Sequence, residues 1–209
     1  MTSRDMCGLL LATATIFFSN ASPNAQAAVG LISQTGGVLG PSQLDQTLGW
    51  SFNLNTEVTL NRLGVFDEGQ DGLFAPHQVG LWTTSGTLIA DATVPAGTGG
   101  LLLGDFRYAS VADVVLPVGD YVIGVHFTAQ AADQFLQDSS LLTIDPFVSY
   151  IGRAGAGPGF VFPTPIAGPG GGNFTAGNFQ FNIPEPSTTS LCLMASAIGF
   201  LISRRFSQF

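Results

Sequence analysis

Through the middle of the chain apolar and polar residues alternate with a period of two, the pattern of strands with one buried face. Trp50, Phe52 and Leu54 alternate with Ser51 and Asn53. Val58 and Leu60 open a second strand, which continues through Leu63 and Val65 after a shift at Arg62. Val79-Gly80-Leu81-Trp82, the turn Ser85-Gly86, and then Leu88, Ala90, Ala92 and Val94 read as a hairpin. Phe106 with Tyr108, the run Val111 to Leu116, and the shared face of Tyr121, Ile123, Val125 and Phe127 follow. Leu141 to Ile144, Phe147 to Ile151, and Phe179, Phe181 and Ile183 complete the set. No long amphipathic helix is visible, and Ala129 to Leu136 is expected to form one short helical turn. About eight to ten short strands with regular turn signals predict an all-β, antiparallel β-sandwich of jelly-roll type.

Two segments refine that picture. Leu116-Pro117-Val118-Gly119-Asp120-Tyr121 is a Pro-x-Gly turn entering a strand with an early tyrosine. It resembles the tyrosine corner of β-sandwiches, in which the hydroxyl ties back to upstream backbone. Gly152 to Gly177 is rich in Gly and Pro and predicts a loop or an irregular strand connection.

Both ends break the strand pattern. Arg4 precedes an apolar run from Gly8 to Phe18, and Ala25-Gln26-Ala27 then supplies a small-x-small cleavage pattern. This reads as a signal peptide over residues 1–27, with the mature chain starting at Ala28. Cys7 lies before the apolar run and so is not placed as a lipoprotein acylation site. At the other end Pro184-Glu185-Pro186-Ser187 precedes an uncharged apolar stretch, Thr188 to Ser203, followed by Arg204-Arg205. As a helix that stretch reaches about 24 Å, against a bilayer core of about 30 Å. It spans with local thinning and snorkelling arginines, and the basic pair keeps it oriented with the β domain outside. Pro184 and Pro186 hold the chain around Glu185 extended, the form a protease takes. One domain, residues 28–183, lies between the two segments, and residues 184–209 form the tail.

Composition narrows the function classes. The chain has 6 basic and 14 acidic residues and a formal net charge of −8, and all of the basic residues are arginine. Only Arg62, Arg107 and Arg153 fall within the central domain. Phosphate backbones and anionic lipid heads are repelled by such a surface, so nucleic acid is excluded as a partner. The two cysteines, Cys7 and Cys192, both lie in the end segments, which leaves the domain without a disulfide, a thiolate nucleophile or a zinc–cysteine site.

Candidate chemistry is sparse. Asp67-Glu68-Gly69-Gln70-Asp71-Gly72 has the carboxylate and glycine character of a calcium loop, but Gly69 and Gln78 stand where an EF-hand needs ligands. A simpler calcium site would use Asp67, Glu68 and Asp71, and no other cofactor is expected. His77 and His126 are the two histidines, and nothing in their spacing marks a metal pair. There is no Gly-x-Ser-x-Gly elbow or His-Glu-x-x-His pair, and a chain without lysine has no Walker loop. These absences favour a protein that is not an enzyme. Trp50, Trp82, Tyr108 and Tyr150 are the candidates for stacking on a sugar. Trp50 is in phase with Phe52 and Leu54 and is expected in the core; Trp82 is out of phase with Val79 and Leu81, which makes it the candidate ligand-stacking residue.

Pro184-Glu185-Pro186, the apolar stretch and Arg204-Arg205, in that order within 26 residues of the C-terminus, resemble the PEP-CTERM sorting signal. The resemblance implies recognition by an exosortase at the inner membrane, cleavage near the Pro-Glu-Pro, and transfer to the cell surface or medium. The central domain is similar to an uncharacterised, DUF4082-like β-sandwich found in proteins with such tails. The residues carrying that similarity are Leu48-Gly49-Trp50-Ser51-Phe52, Leu63-Gly64-Val65-Phe66-Asp67, His77-Gln78-Val79-Gly80-Leu81-Trp82, Phe106-Arg107-Tyr108, Gly119-Asp120-Tyr121 and Asn178-Phe179-Gln180-Phe181. The expectation is an exported surface or matrix protein, structural or associated with exopolysaccharide. The alternatives are a carbohydrate- or calcium-binding module and an extracellular hydrolase.

Overall fold

A computed structural model describes residues 26–41, 44–129, 132–166 and 172–183. The signal peptide up to Ala25 and the sorting residues Pro184, Glu185, Pro186, Ser187, Arg204 and Arg205 lie outside the described residues. Among the described residues the chain is all-β, with one 3-10 turn at Glu68–Gln70, and no helix is long and apolar enough to cross a membrane.

The strands are β1 (Gln26–Val29), β2 (Leu31–Thr35), β3 (Val38–Pro41), β4 (Gln46–Leu54), β5 (Val58–Phe66), β6 (His77–Thr83), β7 (Leu88–Val94), β8 (Leu101–Leu103), β9 (Phe106–Leu116), β10 (Gly119–Phe127), β11 (Gln134–Gln137), β12 (Leu141–Ile144), β13 (Val148–Ala156), β14 (Thr164–Pro165) and β15 (Gly177–Ile183). They form two large antiparallel sheets. The first has the order β1-β15-β5-β9-β8, the second β14-β13-β4-β10-β6-β7. Two small pairs, β2 with β12 and β3 with β11, stand apart from them. Successive long strands change sheets: β4 lies in the second, β5 in the first, β6 and β7 in the second, β9 in the first, β10 in the second.

The inward faces follow the period-two pattern. Trp50, Phe52 and Leu54 of β4, Ile123, Val125 and Phe127 of β10, and Phe179 and Phe181 of β15 are all buried in one core. Phe52 stacks on Phe179 across the two sheets with ring centroids 4.5 Å apart. Trp50 satisfies its indole N–H on the Gly177 carbonyl of the opposite sheet at 2.8 Å, so its burial leaves no orphan donor. The shift expected at Arg62 is present as a break in the β5–β9 register between Leu60 and Arg62. Tyr121 donates its hydroxyl to the Pro117 carbonyl at 2.8 Å, the tie expected of a tyrosine corner.

Two expectations are corrected. Residues 134–136, expected within a helical turn, belong to strand β11, because Phe135 of β11 packs on Phe127 and Phe174 while its backbone pairs with β3. A tertiary partner thus outweighs local propensity. Phe106–Tyr108 and Val111–Leu116 are one continuous strand, β9, rather than two runs.

The outer face of the second sheet is also covered. Gly124 of β10 pairs with Gly80 of β6, leaving a trough without side chains. A Cβ on Gly124 would stand 2.7 Å from Pro163 Cγ, and one on Gly80 would stand 2.4 Å from the Trp82 ring. The Gly- and Pro-rich segment after β13 lies in this trough. Thr47 holds it by donating to the Gly159 carbonyl at 2.7 Å and accepting the Val161 amide at 3.3 Å.

The five-stranded sheet also sets where its first and last strands lie. Ala28 pairs with Phe181, Asn182 with Thr59, and Val58 with Leu116, so both ends of the domain meet at one corner. Asp67 follows the other end of β5, about 25–30 Å away along the strand.

Candidate functional site

The loop between β5 and β6, residues 67–76, begins where β5 leaves the sheet. Asp67 turns inward there. Its carboxylate accepts the Arg107 Nε at 2.6 Å and the Gly72 amide at 3.2 Å, and both charged side chains are buried. Arg107 also donates to the carbonyls of Gln70, Thr98 and Gly100. A buried ion pair needs such extra hydrogen bonds to offset desolvation, and this one ties the loop to β9. Glu68 and Asp71 face solvent. The three residues proposed as a calcium site are therefore not brought together as a ligand set: Asp67 is held by arginine. Among the described residues no group of three or more His, Cys, Asp or Glu side chains is placed to hold a metal ion.

The far end of the loop is fixed by a residue that the sequence pattern did not single out. Asp133, just before β11, accepts the amides of Phe74 at 2.6 Å and Ala75 at 2.9 Å and the Nε2 of His77 at 2.8 Å. Burial alone would push the Asp133 carboxyl up; donation from His77 and from the two amides outweighs it and holds the group below its ordinary value. His77 is buried, and its Nδ1 lies 3.0 Å from the His126 carbonyl oxygen. A carbonyl oxygen only accepts, so Nδ1 carries a proton and donates to it. Its face packs on Phe127. His126 points to the outer side of β10 and bonds Asp45 at 2.7 Å; Asp45 also accepts the Gly159 amide at 3.0 Å. These two donors hold the Asp45 carboxyl below its ordinary value.

A pocket of about 440 Å³ opens between the 67–74 loop and the Ala132–Gln134 segment. Its wall includes Glu68, Asp71 and Asp133, and Phe74 stands on it with 69% of its surface exposed. No spacing rule marks Phe74 or Asp133. Asp133 is 56 positions from His77 and meets it only through the fold. An apolar residue within a turn-rich loop was the one local signal for Phe74.

Trp82 lies on the outer face, as its phase predicts, but it is only 4% exposed. Phe160 and Phe162 cover it with ring centroids 5.2 Å and 6.4 Å away, so it is a packing residue under a loop and not an open stacking surface. Trp50 and Tyr108 are buried. Tyr108 has an unpartnered hydroxyl whose ionisation burial pushes far up. Tyr150 stacks beside Trp50, and burial raises its hydroxyl to about 12.

No family model and no curated protein matches this chain. Among solved structures it is similar to a chain of the T=1 particles derived from infectious bursal virus, at 19% identity and a TM-score of 0.30. That similarity covers 87% of this chain and 45% of that one, so this chain spans less than half of that protein's length. At that score the likeness carries no argument about fold or function.

Proposed function

We propose that the chain is an exported cell-surface or extracellular-matrix protein without catalytic activity. In this reading the leader takes it across the inner membrane, the tail anchors it as a precursor, and an exosortase acts at Pro184–Ser187. The β domain is a jelly roll associated with exopolysaccharide. The observation that carries the reading is the pairing of β1 with β15. Ala28 and Val29 lie beside Phe181 and Gln180 there, so a precursor held by a leader before Ala28 and a tail after Ile183 would sit on the membrane by that one corner. The strand order supports the jelly roll. With β8, β13 and β14 set aside, the remaining eight strands of the two sheets, numbered along the chain, run 1-8-3-6 in one and 2-7-4-5 in the other, the interleaving of two rolled Greek keys. The site supports a role other than catalysis, because both ring nitrogens of His77 are occupied by fixed partners.

The intact mass of the native protein in membrane and secreted fractions tests this. A mature species that begins near Ala28 and ends between Pro184 and Ser187 is the expected result. A species that keeps Phe209 and stays in the membrane overturns the sorting reading.

A second reading, a carbohydrate-binding module, is favoured by Phe74. An exposed aromatic ring beside a polar pocket is the arrangement that takes the apolar face of a sugar while acceptors meet its hydroxyls. Calcium dependence is not part of that reading, since the Asp67 carboxylate is already bound by Arg107.

A further inference from the structure

Phe74 is the most exposed large apolar side chain among the described residues, yet its backbone is fixed. The amides of Phe74 and Ala75 both donate to Asp133, and Asp133 is in turn bound to the buried His77. A rigid stem that presents a ring to solvent costs hydration free energy and gains nothing within the chain. The pocket beneath the ring carries uncompensated charge. Of its four carboxylates, Asp67 is answered by Arg107 and Asp133 by His77. Glu68 and Asp71 enter no ion pair among the described residues. The other described arginines are occupied elsewhere, Arg62 on Gln180 and Arg153 over the Phe174 ring, and the chain has no lysine.

An aromatic face and two free carboxylates act in the same direction. Both attract an ammonium group and repel an anion. The ring face also accepts the C–H side of a pyranose. Resting on the carbohydrate reading above, we propose that this pocket binds a glycan with free amino groups, that is, amino-sugar units without their acetyl caps. One sugar lies on Phe74, and its ammonium lies between Glu68 and Asp71. The site stands at the opposite end of β5 from the corner where β1 pairs with β15, so the membrane-held precursor presents it outward. Charge complementarity, together with the one exposed ring on the wall, selects this ligand over a neutral or acidic polysaccharide.

The test uses the full-length exported protein and two probes of equal length, a glucosamine oligomer and its N-acetylated counterpart, with binding followed by calorimetry at low salt. The expected result is binding of the glucosamine oligomer about tenfold or more tighter than that of the acetylated one, and weakening by added salt. Phe74→Ala, Glu68→Gln and Asp71→Asn should each weaken binding severalfold with the melting temperature unchanged. Val118→Ala, at the opposite end of the domain, should leave it unaltered. Equal binding of the two oligomers overturns the ammonium assignment and leaves the carbohydrate reading standing. Binding of neither overturns both. Binding that survives all three pocket substitutions places the glycan elsewhere and also overturns the proposal.

Discussion

At the scale of single residues, a charge within an apparent binding motif can be spent on holding a loop. Asp67 and Arg107 are the clearest case. Asp67→Asn leaves a buried guanidinium without its counter-charge, which costs about 3–5 kcal/mol, as read from chemical denaturation. For the same reason calcium should not raise the melting temperature; a calcium-dependent rise would show that Asp67 leaves Arg107 for the ion. Asp133 gives the domain an acid limit. Its folded pKa is lowered, so its contribution to stability is present above the ordinary carboxyl value of 3.8 and is lost as pH falls through the lower folded value. Acid unfolding followed at several pH values should therefore steepen in that window, and Asp133→Asn should flatten it while lowering stability at neutral pH.

At the scale of elements, covering segments decide what each sheet face can do. The trough at Gly80 and Gly124 exists because those residues have no Cβ, and the segment held by Thr47 lies in it. Gly124→Val would drive a side chain into Pro163 and destabilise the domain by about 1–3 kcal/mol, measurable by thermal melting. Phe160→Ala would uncover Trp82. Its fluorescence should then shift to the red and become open to quenchers, with Trp50 still shielded in the core. If neither changes, Phe160 is not what keeps Trp82 from water.

At the scale of the whole molecule, the last strand closes the fold. β15 lies between β1 and β5, and Phe179 and Phe181 fill the core between the sheets. A chain ending at Ile183 should fold cooperatively, whereas one ending before Gly177 should lose two buried aromatic rings and the centre of a sheet. Circular dichroism with a melting curve distinguishes the two. The first and last strands being neighbours also means that folding waits for the chain's end, since their pairing spans more than 140 positions and loop closure precedes its contacts.

The sequence by itself determined the class of the fold and the inward side of its long strands. The inward face of a strand is a property of alternation, so Trp50, Phe52, Ile123, Val125, Phe179 and Phe181 could be placed in the core without coordinates. The tyrosine corner was legible for a similar reason, because its tie reaches only from Tyr121 to Pro117. Only the tertiary structure decided the rest. Strand β11 is not legible in the local pattern because its hydrogen-bond partner, β3, lies nearly a hundred positions away. Trp82 was assigned to the right face, but whether that face is open depends on a distant loop carrying Phe160 and Phe162. The fate of Asp67 depends on Arg107, and the placement of Phe74 on Asp133 and His77. Periodicity records which side of a strand avoids water; it carries no record of which remote segment will cover that side or bind a charge, because those partners meet only when the sheets close.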